Sequence, residues 1–484
     1  MTYLPLIALL VGVVTVIGMI VALRLNAFVA LTIAAMVVAG MATTESLTQY
    51  PEDLAAMTGE VWSEAQVRSF VASNAPARVA KAFGAAAGNI AIVIALASII
   101  GKCLMDSGAA DRIVRSFLKA SGQKGAPVAL ASSGFVLSIP VFFDTVFYLL
   151  VPLARSLWRS TRKNYMLYIL AIGTGAAITH TLVPPTPGPL VMAENLGVDL
   201  GTMIMVGTVV ALATAVTVLP VCYLFNRRMD LPMRPYAGEE ETRPLDDAEL
   251  PPLWLSLAPI VLPVLLISAQ TIAKTMSGQG ENAAVAVASR LTGILGNPNF
   301  ALLLSTGVAM WVLAAYRKLS LADLAKTTET ALMSGGVIIL ITAAGGAFGA
   351  ALQQAGVKQS ILGLVGPESQ SMGLTMLVLG FGISCILKIA QGSSTVAMIV
   401  TSSMIAAMGT SPEALGCHPV YLCTAIGGGS LVGSWMNDSG FWIVSRMSGL
   451  TEVETLKAWT VILVIVGFLA LGYSLLFATL LPLV

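Results

Sequence analysis

Four ionisable side chains in this sequence stand in stretches otherwise apolar enough to lie in a membrane. Asp144 follows Ser138-Ile139-Pro140-Val141-Phe142-Phe143, and Lys388 opens a run that continues Ile389-Ala390-Gln391-Gly392-Ser393-Ser394-Thr395. His180 precedes Thr181-Leu182-Val183-Pro184-Pro185-Thr186-Pro187-Gly188-Pro189, and Asp438 lies in Trp435-Met436-Asn437-Asp438-Ser439-Gly440-Phe441-Trp442. An ionisable group at bilayer depth is costly, so each is a functional candidate by default.

Their chemistry divides into three tasks. Asp144 suits proton carriage, with His180 or Asp438 as second choices, because imidazole titrates closest to neutral pH and a carboxylate out of water is readily kept protonated. Gly392 permits a tight turn, and Ser393 and Ser394 suit the start of a returning half-helix whose free N–H groups and dipole favour an anion such as a carboxylate. Thr145, Thr181, Thr186, Gln391, Asn437, Asp438 and Ser439 supply hydrogen-bonding groups for substrate hydroxyls. Each set has a structural alternative: an ion pair or interfacial residue for Asp144, a hydrogen-bonded core residue for His180, helix capping for Asn437 to Ser439. Lys388 is a charge partner for substrate or for Asp144, or a lysine snorkelling to a polar surface.

These groups sit at breaks in long apolar runs. No α-helix is expected through His180 to Pro189, since proline lacks the backbone donor and clashes with the preceding turn. Broken backbone at bilayer depth is tolerated where protein buries it or where it lines a polar cavity. The chain of 484 residues is 56% hydrophobic and 11% charged, with a mean hydropathy of +0.86, far from the roughly 25% charge of soluble domains. It is therefore expected to be an all-α polytopic membrane protein, with function placed among the helices rather than in a soluble domain.

Apolar runs place spans near 4–23, 26–42 and 84–105, with a polar, acidic segment from 45 to 64. The first run reads as a retained helix, having no basic residue before it and no small-residue cleavage site. A segment from 125 to 157, interrupted near Pro140 and Asp144 and flanked by Lys and Arg on both sides, reads as a re-entrant hairpin. A broken span from 164 to about 194 and a span from 201 to 225 follow. Residues 226–252, with ten charged side chains from Arg227 to Asp247, read as a flexible cytoplasmic linker. The order then recurs: spans near 254–273, 299–316 and 331–352, an interrupted segment 373–406, a broken span 419–445 and a last span 459–482.

The halves 1–225 and 253–484 also match locally. Ile99 to Leu104 with Gly108 aligns with Ala347 to Leu352 with Gly356, and Ala171 to Gly175 aligns with Ala425 to Gly429. Placing the Lys and Arg excess in the cytoplasm puts the N-terminus outside and gives each half five crossings. An odd number inserts the second half upside down. Inverted repeats with paired interruptions are the signature of a secondary transporter, and the two hairpin tips are expected to meet near the midplane.

Other classes fit poorly. The metalloprotease pattern H-E-x-x-H is absent, as is a Walker-type phosphate loop, which argues against a membrane-embedded enzyme and a primary pump. The five cysteines mostly lie in or beside apolar runs and read as structural thiols, and Cys417-His418 lacks the partners of a metal site. No cofactor and no nucleic-acid partner is expected. A passive channel and a sodium-coupled carboxylate symporter are the remaining alternatives.

The strings HTLVPPTPGP (180–189), LKIAQGSSTVAM (387–398) and NDSGFW (437–442) followed by LTEVETLKAWT (450–460) resemble the gluconate:proton symporter family of bacterial permeases. The likeness extends to GKCLMDSGAADRI (101–113) and VFFDTVFYLLVP (141–152) and spans nearly the whole chain. It implies a multi-pass inner-membrane symporter of a dozen to fourteen membrane segments that couples proton entry to uptake of a small sugar acid. The family is similar in turn to a broader ion transporter superfamily, which implies an elevator motion against a homodimeric scaffold. Asp144 stands where gluconate carriers often have Glu, and Thr186 where they often have His. A shorter acid and an absent imidazole alter pocket reach, so the implied substrate class is a small hydroxylated monocarboxylate: gluconate, D-glycerate, D-serine or a relative.

Overall fold

The computed structural model describes residues 3–23, 25–58, 62–122, 124–229, 231, 233–234, 246–277, 292–357, 360, 372–408, 412–436 and 438–483. Every regular element among them is helical. Among the described residues seven helices are long and apolar enough to cross a membrane, or eight if Ala27–Met41 and Thr44–Glu52, bent by 107° at their junction, form one span. The chain is thus an all-α multi-pass protein, as its hydropathy requires.

Two helices form the spine. Ala75–Ser107 and Leu321–Gln354 run to 33 and 34 residues, about 50 Å each at 1.5 Å per residue, well beyond a bilayer's hydrocarbon thickness. They pack along one another, and small residues allow the approach: a side chain on Gly346 would strike Ala86, and one on Gly335 would strike Ser98. In a lipid environment such close packing, rather than hydrophobic burial, holds helices together. Ala27–Met41 lies against the second long helix and Pro298–Arg317 against the first. Both long helices end at a glycine with positive φ, Gly108 at 80° and Gly356 at 77°, the left-handed geometry that stops a helix at little cost to glycine.

Beside this frame lie the interrupted elements. The first interrupted segment consists of Ala126–Leu137 and Phe143–Thr161 around a break at Ser138 to Phe142. The first broken span consists of Tyr165–Leu182 and Pro187–Asn195. In the second half, Met372–Gln391 and Ser394–Met408 flank Gly392 and Ser393, and Val420–Gly429 and Ser439–Ser448 lie on either side of a break that begins at Ser430. Leu200–Arg228 and Val461–Leu480 pack across these cores.

Several boundaries differ from those read in the sequence. Helix continues through His180 and Thr181 to Leu182, and the break is confined to Val183 to Thr186. Pro187 and Pro189 fall in the first turn of the next helix, where the missing N–H groups have no intrahelical partner to lose. Val183, restricted by the following proline, is extended at φ −123°, ψ 120°. Asp144 lies not in the break but in the first turn of the helix that follows it. The acidic stretch after residue 43 is itself helical, Thr44–Thr58 and Glu64–Ala72, the latter closed by a Ser63–Gln66 capping box.

The linker's described ends are docked rather than free. Asn226 to Arg228 complete the preceding helix, and buried Asn226 accepts a hydrogen bond from the Leu167 backbone N–H at 3.1 Å. Arg112 donates to the carbonyls of Asp247 at 2.5 Å and Pro251 at 2.8 Å, and Arg115 pairs with Asp247 at 2.6 Å. Arg234 forks onto both carboxylate oxygens of Glu454 at 2.6 and 2.7 Å.

Candidate functional site

The four interrupted or broken segments converge on one cavity of about 370 Å³, within the range of small-ligand sites. The first interrupted segment contributes Phe142, Phe143, Asp144 and Thr145, and the first broken span contributes Ala177, His180 and Thr181. From the second half come Lys388 and Ser393 to Thr395, then Asp438 to Gly440. Trp459 and Leu463 close one side. Residues up to 321 positions apart in sequence therefore share one wall, as Phe142 and Leu463 do.

The local sequence explains each placement. Gly392 holds φ at +86°, a conformation strained for a residue with a Cβ. That turn lets Ser393 cap the following helix, its Oγ accepting from the Val396 N–H at 3.3 Å. Ser394 donates to the Ser430 carbonyl at 2.8 Å and ties the second interrupted segment to the second broken span. Asp438 caps its own helix through the Gly440 N–H at 3.0 Å.

The buried electrostatics centre on Lys388. Its side chain is 2% exposed, and its Nζ pairs with Asp438 Oδ2 at 2.7 Å and donates to the Gly392 carbonyl at 2.5 Å. Lys388 therefore neither snorkels outward nor pairs with Asp144. The Ser434 hydroxyl donates to the same Asp438 oxygen, and Trp459 Nε1 donates to Ser434 Oγ at 3.1 Å. Asp438 is thus met by an ammonium, a hydroxyl and a backbone N–H. A buried ion pair of this kind tolerates loss of one partner badly, because the other is left as an uncompensated charge.

Asp144 and His180 are differently placed. Among the described residues no hydrogen bond or ion pair reaches the Asp144 carboxylate, while the charges of Asp438 and Lys388 both act on it. His180 Nδ1 is buried without a hydrogen-bond partner among the described residues, although its ring meets Phe142 edge-on at 6.2 Å between centroids. Buried polar atoms are nearly always satisfied, so an open nitrogen in a cavity wall marks a place for a ligand or water. Thr181 also lines the cavity, its hydroxyl donating to the Ala177 carbonyl at 3.1 Å.

Of the remaining sequence candidates, Thr145 and Ser439 line the cavity. Thr186 does not; its hydroxyl is turned back to the Val183 carbonyl at 2.7 Å and closes the break. Asn437 lies outside the described residues, as does the side chain of Gln391. Sequence reasoning missed Ser434 and Trp459. Ser434 stands four residues before Asp438 with no charge or break of its own, and Trp459 reads as an ordinary membrane tryptophan.

Glycines weld these elements together. A Cβ on Gly427 would lie 2.6 Å from the Thr181 carbonyl oxygen, and one on Gly134 would lie 2.7 Å from that of Ile172. The two broken spans therefore touch backbone to backbone, and so do the first interrupted segment and the first broken span.

Residues 67–480 match the profile of the GntP family permease. A gluconate permease of Zymomonas mobilis is 34% identical over 391 residues, covering 80% of this chain and 84% of that protein. A low-affinity gluconate transporter of Escherichia coli (strain K12) is 30% identical over 392 residues, covering 81% and 85%. Among solved structures, the Alcanivorax borkumensis YdaH transporter superposes with a TM-score of 0.60 at 13% identity, covering 94% of this chain and 98% of that one. At that identity the likeness concerns the fold.

Proposed function

Because the chain belongs to the GntP permease family and is a membrane transport protein rather than an enzyme, we propose that it takes up gluconate or a related small hydroxylated monocarboxylate across the bacterial inner membrane, driven by protons. The observation that carries this reading is the shared cavity in which Asp144 stands, without a hydrogen-bond or ion-pair partner among the described residues, beside the buried Lys388 and the N-terminal end of the Ser394–Met408 helix. Asp144 is the proton-carrying group. His180 Nδ1, Thr145, Thr181 and Ser439 meet substrate hydroxyls, and the backbone of Ser393 and Ser394 faces the carboxylate end. The relatives' names support gluconate as the first substrate to try.

In this reading 1–225 and 253–484 are inverted-topology repeats. The matched order of long helix, interrupted segment and broken span supports it, as do the positive-φ glycines that end both long helices. The breaks and their half-helices move as one body against the long-helix frame of a homodimer, an elevator-type cycle; the backbone contacts at Gly134 and Gly427 support a single moving body.

The test is uptake of labelled gluconate into proteoliposomes under an imposed inward proton gradient. Uphill accumulation that a protonophore abolishes and that Asp144→Asn eliminates is expected. Accumulation by Asp144→Asn equal to that of the parent protein removes Asp144 from the proton path. Accumulation that follows a sodium gradient instead replaces the proton with sodium.

A further inference from the structure

We propose that Lys388 is the countercharge for the substrate's carboxylate, held in place by Asp438, and that it makes the site selective for anions over neutral polyols of the same shape. The assignment rests on the transport reading above and specifies which group recognises the acid end.

Three observations carry it. Lys388 is the one Lys or Arg among the described residues that line the cavity. It is buried, so its charge is screened less by water than that of an exposed ammonium. Its Nζ also has donor capacity to spare: an ammonium carries three N–H groups, and the described residues engage two acceptors, Gly392 O and Asp438 Oδ2. Asp438 fixes the lysine from the far side and is itself fixed by Ser434 and Gly440, so Asp438 is a positioning residue and need not touch substrate.

Charge counting then ties substrate to proton. The ionisable groups facing Lys388 in the wall are Asp438, Asp144 and His180. With both carboxylates ionised, one ammonium already faces two negative charges, and a bound monocarboxylate brings a third. Placing that charge in a desolvated cavity is unfavourable unless a proton accompanies it. The balanced step is entry of one carboxylate and one proton, the proton resting on a wall carboxylate, with no change in the site's net charge.

The experiment compares gluconate with its neutral amide, gluconamide, by direct binding to purified, monodisperse protein. Lys388→Met alone leaves Asp438 buried and unpaired, so Lys388→Met is combined with Asp438→Asn to keep the fold. The double variant is expected to bind gluconate at least about 30-fold more weakly, the lower range for losing a buried charge partner, with gluconamide binding altered less than about threefold. Asp438→Asn alone keeps the ammonium and loses the carboxylate that holds it, so it is expected to weaken gluconate binding less than the double variant does and to keep the preference for acid over amide; loss of that preference to the same degree as in the double variant overturns the assignment. Gluconate binding by the double variant at the parent's affinity overturns the assignment, and so does equal loss for acid and amide. If the parent protein binds neither gluconate nor D-glycerate, the proposed substrate class falls and this assignment with it.

Discussion

Replacing Gly134 by alanine tests whether the first interrupted segment is held against the first broken span by backbone contact. The new methyl carbon would lie 2.7 Å from the Ile172 carbonyl oxygen and 3.1 Å from the Ala176 nitrogen, both backbone atoms that no rotamer change can move. Ordinary contact begins near 3.4 Å, so the helices must separate by about 0.7 Å, a gap that forfeits a quarter to a half of each dispersion contact along the interface. Overpacking of this kind costs about 1–3 kcal/mol, partly offset by up to about 1 kcal/mol from alanine's better helix propensity. Gly472 provides the matched control: it also lies inside a helix, Val461–Leu480, but nothing stands within 4 Å of its would-be Cβ. The assay is thermal unfolding in detergent, with gluconate uptake measured in parallel. Gly134→Ala is expected to lower the melting midpoint by several degrees and reduce uptake, because the displaced segment carries Asp144 away from His180 and Thr181. Gly472→Ala is expected to match or exceed the parent in stability. Equal melting of both variants refutes the argument that backbone proximity sets this interface.

Two further predictions follow from local geometry. Ser393→Ala removes the Oγ that accepts from Val396 N–H; a loss of about 1 kcal/mol is expected for such a cap, read as faster proteolysis or hydrogen exchange at the start of the Ser394–Met408 helix, and unchanged exchange there refutes the capping role. Outside the spans, the hydrogen bond from Arg115 holds the Asp247 carboxyl below its ordinary range. A lowered folded-state value makes the contribution fully present above the ordinary carboxylate range and lost as pH falls through the lowered value. Amide exchange at residues 246–250 is therefore expected to keep its protection from pH 7 down to about 5 and to lose it only below the ordinary carboxylate range, near about pH 4. Loss of protection between pH 7 and 5 contradicts the Arg115–Asp247 clasp.

Much of the architecture is legible in the residues because membrane helices are specified locally. About 20 apolar residues must satisfy their own backbone hydrogen bonds in lipid, so runs such as 201–225 and 254–273 reappear as Leu200–Arg228 and Leu253–Ser277 with only their ends moved. The breaks were equally visible, since Pro184, Pro185, Gly392 and the Asn437 to Gly440 cluster are poor helix interiors whatever surrounds them. The limits of each break were not. Proline excludes itself from a helix interior but starts a helix readily, and only the course of the backbone tells which prolines do which. Pro184 and Pro185 end one helix at Val183, whereas Pro187 and Pro189 begin the next.

The amino-acid sequence alone determined that this chain crosses a membrane repeatedly, where its helices break, and that ionisable and hydroxyl side chains stand at the breaks. Tertiary structure decided which of those groups meet. Asp438 is 50 residues from Lys388 and Asp144 is 294 from Asp438, and no local preference relates such positions. It is the close packing at small residues, Gly134 on Ile172 and Gly427 on Thr181, that brings the four interrupted or broken segments to one cavity. That packing pairs Lys388 with Asp438 rather than with Asp144, turns Thr186 away, and leaves Asp144 and His180 Nδ1 without hydrogen-bond partners among the described residues. Charge and hydrogen-bonding capacity are properties of a residue, but being satisfied or unsatisfied is a property of its neighbours.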